Sequence, residues 1–483
     1  MVVTLGLRDL LSRPHCPAVE VHEVTIGRGM LEDHMATTPV TRCVRPDARR
    51  RIASTELLRE GNAPLLQVGC AEAPRKGALE GGELLCQVRL PCTTGQEPLC
   101  GTEFRAMLAR HAGEDRYTIL AHHHGCPAPV CAACAATSCH GGARMPYGGN
   151  DWLALTQEPT VEPDLPICDA HHHFWDLRPE RLPYQRYLLH ELVADITCGH
   201  NVRSTVFIET RAMYRPDGPA ELRPVGEVEF VQGLAAASAS GLYGPCRAAA
   251  AIIGHANLNL GDRVQRVLEA LRAASPNRFR GIRHTVTWDP HPEIASREPE
   301  GVLATAAFRA GGHVLARMGL SLDTGVCFPQ LPELAAFAQA VPDLTIILNH
   351  LGGLTRVGPY AHRDEEVLAT WRRGLAAVAA CPNVYVKLGG IGMPRLGFDW
   401  HTRQKPIGSD ELTVAMAPFM TYCIEQFGPE RCMFESNFPP DKVSFSHHVL
   451  FNGFKRFSQA YSAAERAALL HDTAVEAYRI SDD

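Results

Sequence analysis

The sequence predicts an α/β protein built as a (β/α)8 TIM barrel, preceded by a largely irregular N-terminal extension. Three observations predict it. From Pro166 onward, eight short apolar runs alternate with helical stretches, the pattern of a parallel sheet wound by crossover helices. Six of those runs end in histidine, acid, base or amide side chains, which is where a barrel gathers its working residues. Aromatic residues, which supply large buried areas, nearly all lie in that region: of 17 Phe, 11 Tyr and 5 Trp, just Phe104, Tyr117 and Tyr147 precede residue 148.

The elements follow in chain order. Residues 1–147 hold ten of the 17 cysteines, a single lysine (Lys76) and frequent Pro and Gly. Short helical pieces fit 54–59 and 103–112, but no long pattern persists. A stretch almost without aromatics buries too little apolar surface to offset an ordering cost of about 1–2 kcal/mol per residue. The segment is therefore expected to be disordered, or to precede a true start at Met145. Cys131 and Cys134 have the C-x2-C spacing of a zinc knuckle, near His122, His123, His124, Cys126, Cys139 and His140. A second, similarly spaced pair is missing, so a low-complexity tract is the better account. Residues 148–483 are expected to form the barrel. Its strands are placed at 167–173, 204–209, 248–254, 279–287, 320–324, 344–350, 384–388 and 432–436. Helices are placed at 262–274, 332–340, 365–380 and 409–426, with Ser409 as N-cap and Gly428-Pro429 as the stop.

Charge and composition narrow the function. With 47 basic and 53 acidic residues the net charge is -6, which gives no surface suited to nucleic acid or lipid. No apolar run approaches the roughly 18 residues of a membrane helix. The odd cysteine count and the absence of a secretory or transit segment suit a reduced cytoplasm. P-loop, dinucleotide-glycine, G-x-S-x-G and H-E-x-x-H motifs are missing, which argues against nucleotide chemistry and serine hydrolysis. The expected partner is a small molecule, and a homo-oligomer is left open.

Strand ends carry the chemistry. Period 2 puts Asp169, His171 and His173 on one face of the first strand and His172 on the other. His171 and His173 aimed into a barrel mouth can share one divalent ion or bind one carbonyl, and His350 can add a third nitrogen from strand 6. Glu209 can accept from hydroxyls. Arg283 and His284 can hold a carboxylate or polarise a carbonyl. Trp175 and Trp288 can wall a ring.

The runs DAHHHFWD (169–176), NHLGG (349–353) and RCMFESNFPPDK (431–442) resemble the amidohydrolase-related superfamily, nearest to its sugar-lactone and pyrone-dicarboxylate lactonases. The resemblance spans 166–480. It implies a (β/α)8 barrel and a water nucleophile attacking a carbonyl carbon, either without a metal or with one zinc or manganese ion. His171 and His173 match the family's strand-1 pair and His350 its strand-6 histidine. Asn437 stands where the family has an aspartate, and an amide cannot take a proton from water. Glu435, two residues earlier on the same face, can replace that carboxylate or pair structurally with an arginine. The expected activity is hydrolysis of a small lactone or cyclic amide. The alternatives are a metal-dependent non-oxidative decarboxylase and a ligand-binding barrel that has lost turnover.

Overall fold

The computed structural model describes residues 148–481 apart from Pro179 and Leu182, together with the backbone of five strands nearer the N-terminus. The chain divides into two units, Met1–Arg144 and Met145–Asp483.

In the first unit, Ile26–Gly27, Gln67–Ala71, Leu84–Pro91, Gly101–Arg110 and Arg116–His123 form an antiparallel sheet. The helix expected at 103–112 is corrected by this finding. Gly101–Arg110 is a strand paired on both sides, with Leu108 opposite Leu84 and Ile119. A lone helix of this length is marginal in water, whereas two flanking strands satisfy its backbone throughout. The helical piece expected at 54–59 and the Cys131, Cys134 pair lie outside the described residues.

The second unit holds eight parallel strands: β1 (Pro166–His172), β2 (Asn201–Ile208), β3 (Arg247–Gly254), β4 (Phe279–Arg283), β5 (Ser321–Thr324), β6 (Ile346–Leu348), β7 (Val384–Leu388) and β8 (Cys432–Phe434). Each pairs with the next in chain order. The ring closes just past β8, where the His173 N–H donates to the Phe438 carbonyl and the Asn437 N–H to the His171 carbonyl, both at 2.8 Å. The strands are buried on both faces, which is why they read as apolar runs rather than alternating ones. Around them lie α1 (Leu189–Ile196), α2 (Val225–Ala239), α3 (Val264–Ala274), α4 (Ala306–Arg317), α5 (Leu331–Ala340), α6 (Asp364–Ala379), α7 (Ser409–Phe427) and α8 (His447–Ser458). β4 ends four residues sooner than expected, at Arg283, and β6 and β8 each end two sooner, at Leu348 and Phe434.

The start of α7 corrects the expected cap. Gly408 is the N-cap and Ser409 the first helical residue. The Ser409 N–H is met from afar by Glu158 Oε1 at 2.6 Å, and Ser409 Oγ accepts instead from Arg456 Nε at 2.9 Å. Among the described residues no helix is long and apolar enough to cross a membrane.

Candidate active site

Strand alternation sorts the three consecutive histidines. His172 turns outward and meets Thr205 Oγ1 at 2.8 Å, while His171 and His173 share the inner face. His173 Nδ1 donates to the Ile208 carbonyl at 2.8 Å, which leaves the lone pair on Nε2. That atom faces His171 Nε2 at 3.3 Å. On its other side, His171 Nδ1 lies 2.8 Å from Glu435 Oε2. The second oxygen of the same carboxylate, Glu435 Oε1, is 2.6 Å from His350 Nδ1. One buried carboxylate therefore bridges imidazoles from β1 and from the turn after β6.

Glycines make this approach feasible. Residues 350–353 run in left-handed conformation, with φ of 53, 54, 68 and 74°. A Cβ at Gly353 would fall 1.8 Å from the Val326 carbonyl oxygen. Gly389 and Gly390, after β7, do more than turn the chain. A Cβ on Gly389 would lie 2.3 Å from Glu435 Cγ, and one on Gly390 2.6 Å from His350 Cγ.

The electrostatics follow from burial. Burial pushes Glu435 up to about 8, against the pull of the Lys387 ammonium. Burial also holds His171, His173 and His350 well below the usual imidazole range, helped by Lys387 at His171, Arg283 at His173 and Arg395 at His350. All three rings are neutral at physiological pH. Lys387 Nζ pairs with Asp323 Oδ1 at 2.8 Å and reaches His171 Nδ1 at 3.3 Å. Asp323 Oδ1 also accepts from Tyr478 Oη at 2.8 Å and Asn349 Nδ2 at 3.2 Å. Arg283 binds Glu209 through Nε at 2.9 Å and faces His171 Nε2 with Nη1 at 3.4 Å. Burial raises Glu209, yet Arg283 brings its carboxyl net below the ordinary value, and its Oε2 has no hydrogen-bond partner.

The expected residues thus divide. His171, His173, His350, Glu435, Glu209 and Arg283 come together. Glu435 pairs with two histidines, not with an arginine. His284 does not join them. The step from Arg283 to His284 crosses the strand, so His284 Nδ1 accepts the Leu258 N–H at 3.2 Å and Nε2 meets Glu298 Oε1 at 3.0 Å. Asn437 also turns away. With φ of 52°, it donates from Nδ2 to Asp441 Oδ1 at 2.6 Å. Trp175 is buried, stacked on the His173 ring at 6.0 Å. Trp288 is half-buried, and its backbone N–H donates to Gln330 Oε1 at 2.8 Å. Lys387, Asp323 and Arg395 were not anticipated as site residues. A charge inside an apolar strand, as in VYVKL and SLDT, is a local signal for the first two. Arg395 sits in a single 3-10 turn, Pro394–Leu396, and carries no such signal.

A divalent ion has a fitting donor set here. His171, His350 and Glu435 each offer one ligand atom, all within 4.8 Å of one another. Glu435 thus takes the third place expected for His173.

Residues 168–480 match the amidohydrolase family. The uncharacterised protein y4mH of Sinorhizobium fredii is 31% identical over 338 residues, covering 66% of this chain and 99% of that protein. The L-fucono-1,5-lactonase of Burkholderia multivorans is 24% identical over 323 residues, covering 65% and 96%. A crystal structure of an amidohydrolase from Burkholderia multivorans with bound zinc aligns over 65% of this chain and 99% of its own, with TM-score 0.50 and 25% identity.

Proposed function

The chain belongs to the amidohydrolase family, and we propose on that footing that it hydrolyses a small lactone of a hydroxylated or carboxylated ring with water activated at the barrel mouth. The observation that carries this reading is the Glu435 carboxylate shared by His171 and His350. A neutral imidazole backed by a carboxylate is a general base. His350 takes a proton from water on its outer nitrogen and passes the Nδ1 proton to Glu435 Oε1. The hydroxide attacks the carbonyl carbon, and the ring oxygen leaves with the proton returned along the same route. Arg283, held in place by Glu209, presents Nη1 to the carbonyl oxygen as negative charge develops there. An ion held by His171, His350 and Glu435 would supply Lewis-acid polarisation of that carbonyl. The lactonase named among the relatives supports the substrate class.

The test is a panel of sugar lactones and pyrone carboxylates, assayed with the wild type and E435Q, with and without Zn2+ or Mn2+. Ring opening by the wild type that is lost in E435Q is expected. A wild type that opens no member of the panel overturns the reading.

A further inference from the structure

A second cluster of metal-binding side chains lies outside the barrel mouth. The turn between α1 and β2 carries Cys198 and His200, and the first turn of α8 carries His448. One donor atom from each residue lies within 4.8 Å of the others.

Hydrogen bonds set the tautomers of both rings. His448 Nδ1 donates to the Cys198 carbonyl at 2.7 Å, which leaves the lone pair on Nε2. That atom is buried and has no hydrogen-bond partner. His200 Nε2 donates to the His448 carbonyl at 3.1 Å, which leaves the lone pair on Nδ1. Metal-binding imidazoles are commonly oriented in this way, by a carbonyl or carboxylate on the nitrogen that does not bind. His200 Nδ1 currently accepts from Lys455 Nζ at 3.0 Å. Lys455 also donates to the Glu162 carbonyl at 2.7 Å, so its ammonium keeps a partner when an ion displaces it from His200.

We propose that Cys198, His200 and His448 form a second metal site, distinct from the barrel mouth, for a thiophilic divalent ion of the zinc type. One thiolate and two imidazoles are the donors that borderline-soft ions take in tetrahedral geometry. Cys198 is partly exposed, so solvent fills the fourth position. Binding forms a sulfur–metal bond and releases the thiol proton to solvent. The ion would pin the α1–β2 turn to α8. It would also sit beside His447, whose Nδ1 is 3.9 Å from Cys198 Sγ and whose Nε2 faces Asp169 Oδ2 at 3.5 Å.

Cobalt(II) tests this, because a thiolate ligand gives a near-ultraviolet charge-transfer band that nitrogen and oxygen ligands do not. The metal-stripped full chain is titrated with Co2+ as wild type, C198S and H448N. His171, His350 and Glu435 contain no sulfur, and the cysteines before residue 148 contribute equally to all three proteins. A wild-type band lost in C198S, with affinity weakened roughly tenfold or more in H448N, is expected. Spectra of the variants that superimpose on the wild type overturn the proposal. A second measurement needs no variant: Zn2+ should slow alkylation of Cys198 by iodoacetamide, read by peptide mass. Alkylation that proceeds equally with and without Zn2+ also overturns it.

Discussion

Glu435 accepts from His350 through Oε1 and lies 2.8 Å from His171 Nδ1 through Oε2, so the charge state of that single buried group sets what the pair of histidines can do. Burial raises it to about 8. The base is the ionised form, and the rate of ring opening is therefore expected to fall about tenfold per pH unit below 8 and to level off above it. E435Q keeps the shape but lacks the base, and should lose about 100- to 10,000-fold in kcat along with that pH profile. Stopped assays across pH 6–10 check both. Asn437 has a different task from the aspartate it replaces. It holds a left-handed backbone position that asparagine tolerates, ties its N–H to the His171 carbonyl and donates to Asp441. Burial raises Asp441 to about 8, even with that amide donating to it. N437D would set a second carboxyl against it and should cost about 1–3 kcal/mol in urea unfolding without a gain in rate. A faster N437D enzyme would show instead that turnover had been lost at this position.

Elements were legible in the sequence to different degrees. All eight barrel strands stand where the sequence has apolar runs, six of which end in polar groups, because a strand buried on both faces has to be apolar along its length. Helices α1, α2, α4 and α8 were not anticipated. The sequence of α2, with its Gly and Ala, shows no clear apolar stripe. Face assignments inside a strand follow period 2, which separates Arg283 from His284 once both are placed on β4's line. Contacts between distant elements leave no local trace: Cys198 and His448 lie 250 positions apart. The α8–β1 contact carries a pH prediction. Burial disfavours charge on His447, but the bonds to Asp169 and Cys198 outweigh it and raise the ring from 6.5 to about 9. A raised histidine stabilises fully below its unfolded value, and the contribution disappears as pH passes the folded one. The contribution of His447 to the melting temperature, read as the difference between wild type and H447Q, should therefore decline between about pH 6.5 and 9. Calorimetry over this range decides it.

At the scale of the whole molecule, the family match begins at residue 168 and the site draws on β1, β2, β4, β6 and the turn past β8. All the residues named in that site lie between 169 and 478. A chain beginning at Met145 is expected to keep its catalytic rate and to melt within about 4 °C of the full chain, the shift that roughly 1 kcal/mol produces in a large domain. Failure of the shorter chain to fold would show that the preceding sheet is needed.

The ring's closure also fixes when the enzyme can first exist during synthesis. The Ser436 hydroxyl meets the His171 carbonyl across 265 residues of chain. Closing a loop of that length costs about 5 kcal/mol in chain entropy. As a ribosome extends the protein, His171 emerges early and waits, without its carboxylate, while seven more strands are made. Glu435 follows close to the end, and α8 must still leave the exit tunnel before it can cover the seam. A polypeptide that terminates just before Glu435 carries the barrel strands without the carboxylate that lies between His171 and His350.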